Sequence, residues 1–207
     1  AMWVDMQTTG VDVIISAPQK GWSGSPCCAM VMLSEHARQV IETTQSTSFA
    51  CDLKKWLQIM ESYEKGSHSY HTTMPTDALT RLREVMLETQ LYGFEKVRQE
   101  QIELGAHARA LLESRGIVSV AAEGFKAPGV VVSYTTDADI QNSKKFLAIG
   151  LQTAAGVPLQ CDEPADFMTF RIGLFGLEKL HNIDQTLGHL STALDQLGFT
   201  QKIAVAA

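Results

Sequence analysis

The stretch that decides the fold is Val11–Pro26, which reads VDVIISAPQKGWSGSP. Its first part, Val11–Ser16, is an apolar run of strand length, and the Gly, Ser and Pro residues that follow are typical of a loop. The run predicts a buried strand that brings one lysine, Lys20, to its carboxy-terminal end. Ligands of α/β sheets bind at that edge, so the stretch predicts an α/β fold with a ligand site beside Lys20.

Lys20 is a candidate for covalent chemistry on a carbonyl group. A lysine amine attacks a carbonyl only when it is deprotonated, and its ordinary pKa leaves it charged at neutral pH. Burial or a neighbouring cation lowers that pKa, and Trp22 with the flanking apolar runs is placed to supply a dry wall. The competing interpretation is a solvated loop lysine, which the spacing alone favours.

The first part of the chain predicts two strands followed by helices. Cys27–Leu33 is the second apolar run of strand length. Ser34 and Asp52 are candidate amino-terminal caps of two helices, and Pro75 suits the first turn of a third. Gly93 then breaks the helical pattern.

The second part predicts helices packed on one sheet. A long amphipathic helix follows Gly93 and ends near Gly116. The predicted strands are Ile117–Val120, Gly129–Tyr134 and Phe167–Leu174, and the predicted helices are Asp137–Ile149 and a last helix capped by Asn182. We therefore expect a domain boundary at Gly93, which separates residues 1–93 from residues 94–207.

Composition excludes several classes of partner. The chain has 23 acidic and 17 basic residues and a formal net charge of −6. The basic residues are scattered, whereas nucleic acids and acidic membranes require a concentrated basic surface. No apolar stretch approaches the roughly 20 residues of a membrane span, and no signal-peptide pattern is present. We predict a cytoplasmic protein that binds neither nucleic acid nor membrane.

The cysteines and histidines predict no metal site. The four cysteines, Cys27, Cys28, Cys51 and Cys161, lack metal-site spacing and predict reduced, mostly buried thiols. Neighbouring residues on a strand point to opposite faces, so Cys27 and Cys28 are not expected to bond to each other. His68 and His71 have HxxH spacing but no third ligand in the sequence.

Arg171 lies in a segment with strand periodicity. Phe170, Ile172 and Leu174 fall on one face, and Arg171 falls on the other with Thr169. The arginine is therefore predicted to point away from the apolar layer, into a cleft or, as the alternative, into solvent.

Three motifs in order resemble the class V pyridoxal-phosphate-dependent aminotransferases of the alanine–glyoxylate or serine–pyruvate type. Ser16–Lys20 (SAPQK) resembles the Ser-x-x-Gln-Lys lysine loop of that family. The other two are Tyr70–Pro75 (YHTTMP), followed by Leu82–Glu84 (LRE), and Arg171–Gly176 (RIGLFG). The resemblance implies a mixed α/β and α+β fold of type I. Residues 1–93 would belong to the large cofactor-binding domain, and residues 94–207 would form the small carboxy-terminal domain.

The resemblance also implies roles for five residues. Lys20 would form a Schiff base with pyridoxal 5′-phosphate and move a proton during transamination. Gln19 would orient cofactor or substrate; cysteine desulfurases of the same fold usually have histidine there, so glutamine favours transamination. Tyr70 and Thr73 match residues that reach across a dimer interface to the cofactor phosphate. Arg171 matches the residue that clamps the substrate carboxylate.

The implied function is transamination of a small amino acid, alanine or serine, with glyoxylate or pyruvate by a homodimer. The chain departs from many members at Gly24–Pro26, where they have Pro-Pro-Gly, which leaves the substrate preference open. Other cofactor-binding residues of the family lie far upstream of the lysine, whereas nineteen residues precede Lys20. The chain is therefore either part of an active aminotransferase or a truncated homologue that folds and self-associates without catalysis. In both cases we expect weak cofactor binding by this chain alone.

Overall fold

The computed structural model describes residues 3–200, which form two compact units. The amino-terminal unit consists of residues 4–19 and 24–85. The carboxy-terminal unit consists of residues 20–23 and 86–200, together with Trp3. The predicted division into domains of residues 1–93 and 94–207 remains a prediction.

The amino-terminal unit is built on a two-stranded antiparallel sheet. Its elements are α1 (Met6–Thr9), β1 (Val13–Ser16), β2 (Met30–Leu33), α2 (Glu35–Thr43) and α3 (Leu53–Glu64), and α4 (Thr76–Tyr92) runs from this unit into the other. Val13 pairs with Leu33, and Ser16 pairs with Met30. The predicted burial of the first strand is wrong, because the side chains of Val13 and Ile15 are 42% and 73% exposed.

The helix caps of this unit are confirmed. The Ser34 hydroxyl accepts a hydrogen bond from the backbone N–H of Ala37 at 3.1 Å, and the Asp52 carboxylate accepts one from the N–H of Lys55 at 3.0 Å. Each satisfies an N–H group that has no partner inside the helix. Pro75 directly precedes α4, as its lack of an N–H group favours.

The cysteines differ from the prediction in two ways. All four are free, but Cys51 and Cys161 are exposed, and Cys27 and Cys28 are half-buried. Cys27 and Cys28 lie before β2 rather than within it, so strand alternation does not apply to them. Their sulfurs lie 3.9 Å apart, and burial raises the pKa of the Cys28 thiol. The predictions of buried thiols and of opposed side chains are therefore wrong.

The carboxy-terminal unit contains a three-stranded antiparallel sheet with the order β3–β5–β4. Its elements are α5 (Phe94–Ser114), β3 (Val130–Tyr134), α6 (Ala138–Gln141), α7 (Lys144–Ala148), β4 (Ala154–Ala155), β5 (Thr169–Gly173), α8 (Leu177–Leu180) and α9 (Ile183–Gln196). The long helix after Gly93 and the last helix capped by Asn182 are confirmed. None of the helices within residues 3–200 has the length and apolar character needed to cross a bilayer.

Two predicted elements of this unit are wrong. Ile117–Val120 contributes a single bridge, between Ser119 and Ser133, instead of a strand. The helix predicted over Asp137–Ile149 is divided into α6 and α7, because the backbone of Ser143 is left-handed with φ of 69°. Such a conformation interrupts a right-handed helix.

The core of this unit contains apolar residues of α5, the sheet and α9. Its fully or nearly fully buried members include Leu104, Leu112, Val131, Ile140, Phe146, Phe170, Leu180 and Leu194. The rings of Phe146 and Phe170 lie 5.4 Å apart, centroid to centroid. These side chains form one buried hydrophobic core. Burying each large side chain stabilises the fold by about 1.5–3 kcal/mol.

Arg109 of α5 and Arg115, the residue that follows the helix, connect α5 to its surroundings. The buried Arg109 donates hydrogen bonds to the carbonyl oxygens of Ala127 at 2.5 Å and Val130 at 2.9 Å. Burial lowers the pKa of its guanidinium. Arg115 forms an ion pair with Asp195 and a 2.9 Å hydrogen bond to the hydroxyl of Ser191, both in α9.

Candidate active site

Lys20 lies in a tight turn after β1. The backbone N–H of Gly24 donates to the carbonyl of Pro18 at 3.0 Å, and that of Ser23 donates to the carbonyl of Lys20 at 3.0 Å. Pro18 is buried, whereas Gln19 and Lys20 are exposed. The loop is thus held by its own backbone, with the glutamine and lysine side chains on its outer side.

The side chain of Lys20 is exposed. Within residues 3–200 it makes neither a hydrogen bond nor an ion pair, and the side-chain amide of Gln19 makes no hydrogen bond. Trp22 is half-buried with its ring edge-on to Phe94, 6.3 Å between centroids. The predicted dry wall around Lys20 is therefore not formed, but its amine is available for a covalent bond.

Arg171 lies on β5, the central strand of the carboxy-terminal sheet. Its Nε donates to the carbonyl oxygen of Ala155 at 2.9 Å, and its side chain is half-buried. The two Nη atoms have no partner within residues 3–200. Because Nε is hydrogen-bonded to the Ala155 carbonyl, the two Nη atoms at the end of the guanidinium remain as two parallel N–H donors.

The alternation predicted for β5 holds with one exception. Phe170, Ile172 and Leu174 are buried, as expected for the apolar face. Thr169 is also buried. The N–H of Gly156 donates to the carbonyl oxygen of Thr169 at 2.8 Å, and the backbone of Gly156 packs against the Thr169 side chain. A Cβ on Gly156 would lie 1.8 Å from the Thr169 hydroxyl, so only glycine fits there. The sequence analysis missed this glycine and the Ala155 carbonyl that orients Arg171; the Ala-Ala-Gly run was their only sign.

Tyr70 and Thr73 lie before α4 in the amino-terminal unit. Their hydroxyl oxygens are 3.1 Å apart, and the Tyr70 side chain is 71% exposed. One hydroxyl donates to the other, so the pair has one remaining hydroxyl proton, a neutral donor suited to a phosphate oxygen.

His71 has a structural position. Its Nε2 lies 3.1 Å from the carbonyl oxygen of Phe49, and its ring packs against those of Phe49 and Trp56 at 4.2 and 5.0 Å. His68 lies edge-on to Tyr63. In the part of the chain that the structure describes, no three His, Cys, Asp or Glu residues are placed to hold a metal ion.

A cleft of about 340 Å³ lies on the helix side of the carboxy-terminal sheet. Its lining includes Leu104, Ala108, Ile172, Glu178, Leu187 and His189. None of the predicted site residues lines this cleft. Because Ile172 and Arg171 point to opposite faces of β5, the cleft is on the other face of the sheet from the guanidinium.

The predicted site residues are thus divided between the two units. Gln19, Tyr70 and Thr73 belong to the amino-terminal unit, and Lys20 and Arg171 belong to the carboxy-terminal unit. Within the described residues, Tyr70 and Thr73 are in direct contact with each other. The assignment of these five residues to one site remains a prediction.

Several known proteins are similar to this chain in sequence or in structure. No protein-family model matches the sequence. The alanine–glyoxylate aminotransferase of Felis catus is 25% identical over 198 residues, which cover 92% of this chain and 46% of that protein. A protein named soluble hydrogenase, small subunit, from a Synechococcus species is 23% identical over 202 residues, which cover 97% and 50%.

The structure can be compared with the ureidoglycine–glyoxylate aminotransferase of Bacillus subtilis. The two superpose with a TM-score of 0.74 at 21% identity, covering 98% of this chain and 51% of the other. The chain has an aminotransferase fold. The predicted fold class and the resemblance to class V aminotransferases are confirmed. The chain spans about half the length of the curated relatives that it matches, and the match is to their carboxy-terminal part.

Proposed function

We propose that the chain is the lysine-bearing part of a pyridoxal-phosphate-dependent aminotransferase. The reaction is transfer of the amino group of a small amino acid, alanine or serine, to glyoxylate or pyruvate. The observation that carries the proposal is the amine of Lys20 in the SAPQK segment, which has no partner within residues 3–200, in a chain whose relatives include aminotransferases. The homologous aminotransferases use pyridoxal phosphate.

The residues present fit the cofactor. Lys20 would bind it covalently, since its amine is exposed and has no ion pair within residues 3–200. The hydroxyls of Tyr70 and Thr73 hydrogen-bond to each other at 3.1 Å, and the one that accepts this bond would donate its own proton to a phosphate oxygen. In the proposed homodimer, this pair serves the cofactor of the other subunit. When bound, pyridoxal phosphate supplies an electron sink for the bond broken at the substrate α-carbon.

Lys20 is also the proposed proton carrier. An amine released from a covalent bond, next to the substrate, would take the proton from the α-carbon and pass it to the cofactor, not back to the same carbon. Gln19 beside it is a neutral hydrogen-bonding group that orients cofactor or substrate without competing for that proton. The neutral amide thus suits transamination, in which the lysine alone carries the proton.

Arg171 is the proposed carboxylate clamp. The hydrogen bond from Nε to Ala155 fixes the plane of the guanidinium. The two free Nη groups can then donate two parallel hydrogen bonds to the oxygens of a carboxylate. Both the amino donor and the 2-oxo acceptor carry such a carboxylate, so one arginine serves both halves of the reaction.

The second candidate is a homologue that folds and self-associates without catalysis. The observation in its favour is the exposure of Lys20, because no apolar wall encloses this side chain within residues 3–200. The apolar side chains of Val13 and Ile15, which are exposed on β1, would contribute to self-association. The cytoplasmic location remains a prediction under either candidate.

A transamination assay separates the candidates. The purified chain is mixed with pyridoxal phosphate, alanine or serine, and glyoxylate or pyruvate, and the new amino acid is quantified by mass spectrometry. Pyridoxal phosphate is kept in excess to offset weak binding; any turnover by the parent chain should then be abolished by Lys20→Ala and left unchanged by Lys65→Ala, a substitution of an exposed lysine at the end of α3. Turnover that survives Lys20→Ala contradicts the proposal, and turnover that depends on Lys20 contradicts the non-catalytic homologue.

The role of Arg171 has its own readout in the same assay. Arg171→Lys keeps the positive charge but loses the planar guanidinium that donates two parallel hydrogen bonds. We therefore expect the KM of the amino donor to rise about 10-fold or more. Arg98→Lys is the matched control, because Arg98 is an exposed arginine that pairs with Glu95 on the surface of α5. An unchanged KM in Arg171→Lys would remove this residue from the proposed site.

A further inference from the structure

Cys27 and Cys28 form a pair of thiols in contact. Their sulfurs lie 3.9 Å apart, and both side chains are half-buried. The contact results from a tight turn in which the N–H of Cys27 donates to the carbonyl of Ser25 at 2.8 Å, across Pro26. In an extended strand, neighbouring side chains would point apart, so the turn is what brings the sulfurs to one side.

We propose that Cys27 and Cys28 are a dithiol modification site, which peroxides oxidise reversibly to a disulfide between neighbouring residues. This proposal is independent of the aminotransferase function. The sulfurs already touch and are partly accessible, so closing the bond requires a local rotation rather than a rearrangement of the unit.

The chemistry is a two-step reaction. One thiolate attacks a peroxide oxygen, the O–O bond breaks, and a sulfenic acid and water (from hydrogen peroxide) are formed. The second sulfur then attacks the sulfenic sulfur, the S–O bond breaks, and the hydroxyl leaves as water with the thiol proton. In total, two thiols and one hydrogen peroxide give one disulfide and two waters, and the two electrons pass from sulfur to peroxide.

The other two cysteines lack this second step. Cys51 and Cys161 are more exposed than the pair, but no other sulfur contacts either of them within residues 3–200. A sulfenic acid on an isolated cysteine has no neighbouring thiol to resolve it and proceeds to higher oxidation states. The four cysteines therefore include two internal controls.

The disulfide would be easily reduced. Residues joined by a trans peptide have Cα atoms about 3.8 Å apart, below the roughly 4.4–6.8 Å that ordinary disulfides span. A bond formed under that constraint is readily opened by other thiols. Cys27 lies seven residues after Lys20, in the segment that joins the lysine turn to β2, so oxidation alters the backbone next to the lysine loop.

Peptide mass spectrometry tests the proposal. The Cys51→Ser/Cys161→Ser variant keeps only the pair, and trypsin releases residues 21–38 as one peptide that contains both sulfurs. After treatment with hydrogen peroxide and alkylation, we expect this peptide unalkylated and lighter by two hydrogen atoms. Dithiothreitol should restore alkylation at both cysteines. Adding Cys27→Ser should abolish the reducible product and leave irreversible oxidation of Cys28.

A second measurement does not depend on oxidation. Phenylarsine oxide bridges two thiols on one side of a chain, so native mass spectrometry of the same variant should show one arsenical per chain, lost with either Cys27→Ser or Cys28→Ser. Sulfinic acids or disulfides between chains as the main oxidised products would overturn the proposal. So would the absence of an arsenical adduct.

Discussion

The two units of the chain differ in how far each buries its own strands. In the carboxy-terminal unit, Phe170 on β5 is 1% exposed and Leu104 of α5 is fully buried. In the amino-terminal unit, Ile15 on β1 is 73% exposed, although its side chain is equally apolar. A three-stranded sheet with helices packed on it closes a core, whereas two strands alone leave apolar side chains in solvent.

Two residues of the proposed chemistry also differ in how firmly each is held, although Lys20 and Arg171 both belong to the carboxy-terminal unit. Arg171 belongs to the closed unit, where a paired strand and a backbone carbonyl fix its orientation. The SAPQK turn follows β1 of the open sheet, and Lys20 at its end has no fixed partner within residues 3–200. We therefore infer that the carboxylate clamp is preorganised and that the lysine is not.

The largest expected effect compares one buried with one exposed apolar residue. Phe170→Ala should lower the free energy of unfolding by about 3–5 kcal/mol, because it removes buried surface and leaves a cavity. Ile15→Ala should change it by less than about 0.5 kcal/mol, because the side chain is exposed. Urea denaturation of both variants measures this. Comparable losses would show that β1 is as well buried as β5 and would end the comparison.

The second effect concerns the strand contact that supports Arg171. In Gly156→Ala, the new methyl group would lie 1.8 Å from the Thr169 hydroxyl and 2.3 Å from its carbonyl oxygen. The backbone must move, and we expect a loss of about 1–3 kcal/mol. Gly188→Ala on α9 is the control, since nothing lies within 4 Å of its new methyl group. Alanine there should stabilise the helix by about 0.5–1 kcal/mol, and thermal melts distinguish the two signs.

A smaller effect should be equal in both units. Ser34→Ala and Asn182→Ala each remove a side-chain cap from a helix, α2 in the open unit and α9 in the closed one. We expect a loss of about 1 kcal/mol for each, because capping is local. Helix content by circular dichroism during urea denaturation provides the measurement. A much larger loss for Asn182→Ala would mean that the closed core amplifies local damage.

Local features of this kind were the ones that the sequence predicted well. Ser34, Asp52 and Asn182 cap their helices as expected, because a cap depends on a few neighbouring residues. The exposure of Val13 and Ile15 could not be predicted, since an apolar run shows what a strand can bury and not what covers it.

The site was predicted only in part for a similar reason. Period-two alternation correctly placed Arg171 opposite Phe170 and Ile172. The pairing of β4 with β5, which buries Thr169 and supplies the Ala155 carbonyl, joins residues distant in sequence and left no periodic signal in a two-residue strand. The contact of Cys27 with Cys28 depends on the turn at Ser25–Cys27. The sequence did not indicate this turn, because both cysteines belong to an apolar run that predicted a strand.

The smallest expected effect is a pH dependence in the loop before β5. The Glu163 carboxylate accepts hydrogen bonds from the N–H groups of Gln160 and Cys161, both at 2.8 Å. These bonds lower its pKa from 4.5 to about 2. A lowered pKa in the folded state means that the bonds stabilise the loop above pH 4.5 and are lost as the pH falls towards 2.

Amide chemical shifts measure this effect directly. The N–H resonances of Gln160 and Cys161 should titrate with a midpoint near pH 2, where the carboxylate is protonated, and should not titrate in Glu163→Gln. A midpoint near 4.5, the ordinary value for a glutamate, would show that the carboxylate does not hold this loop.

The assignment of Lys20 as the cofactor lysine is tested most directly by reductive trapping. The purified chain is incubated with pyridoxal phosphate, reduced with borohydride and digested, and the fraction of label on each lysine is determined by peptide mass spectrometry. Trapping accumulates even a weakly bound cofactor, so the test does not require a complete site. We predict that Lys20 carries most of the label and that Lys65 and Lys126 carry little. Label spread evenly over the exposed lysines would contradict the account.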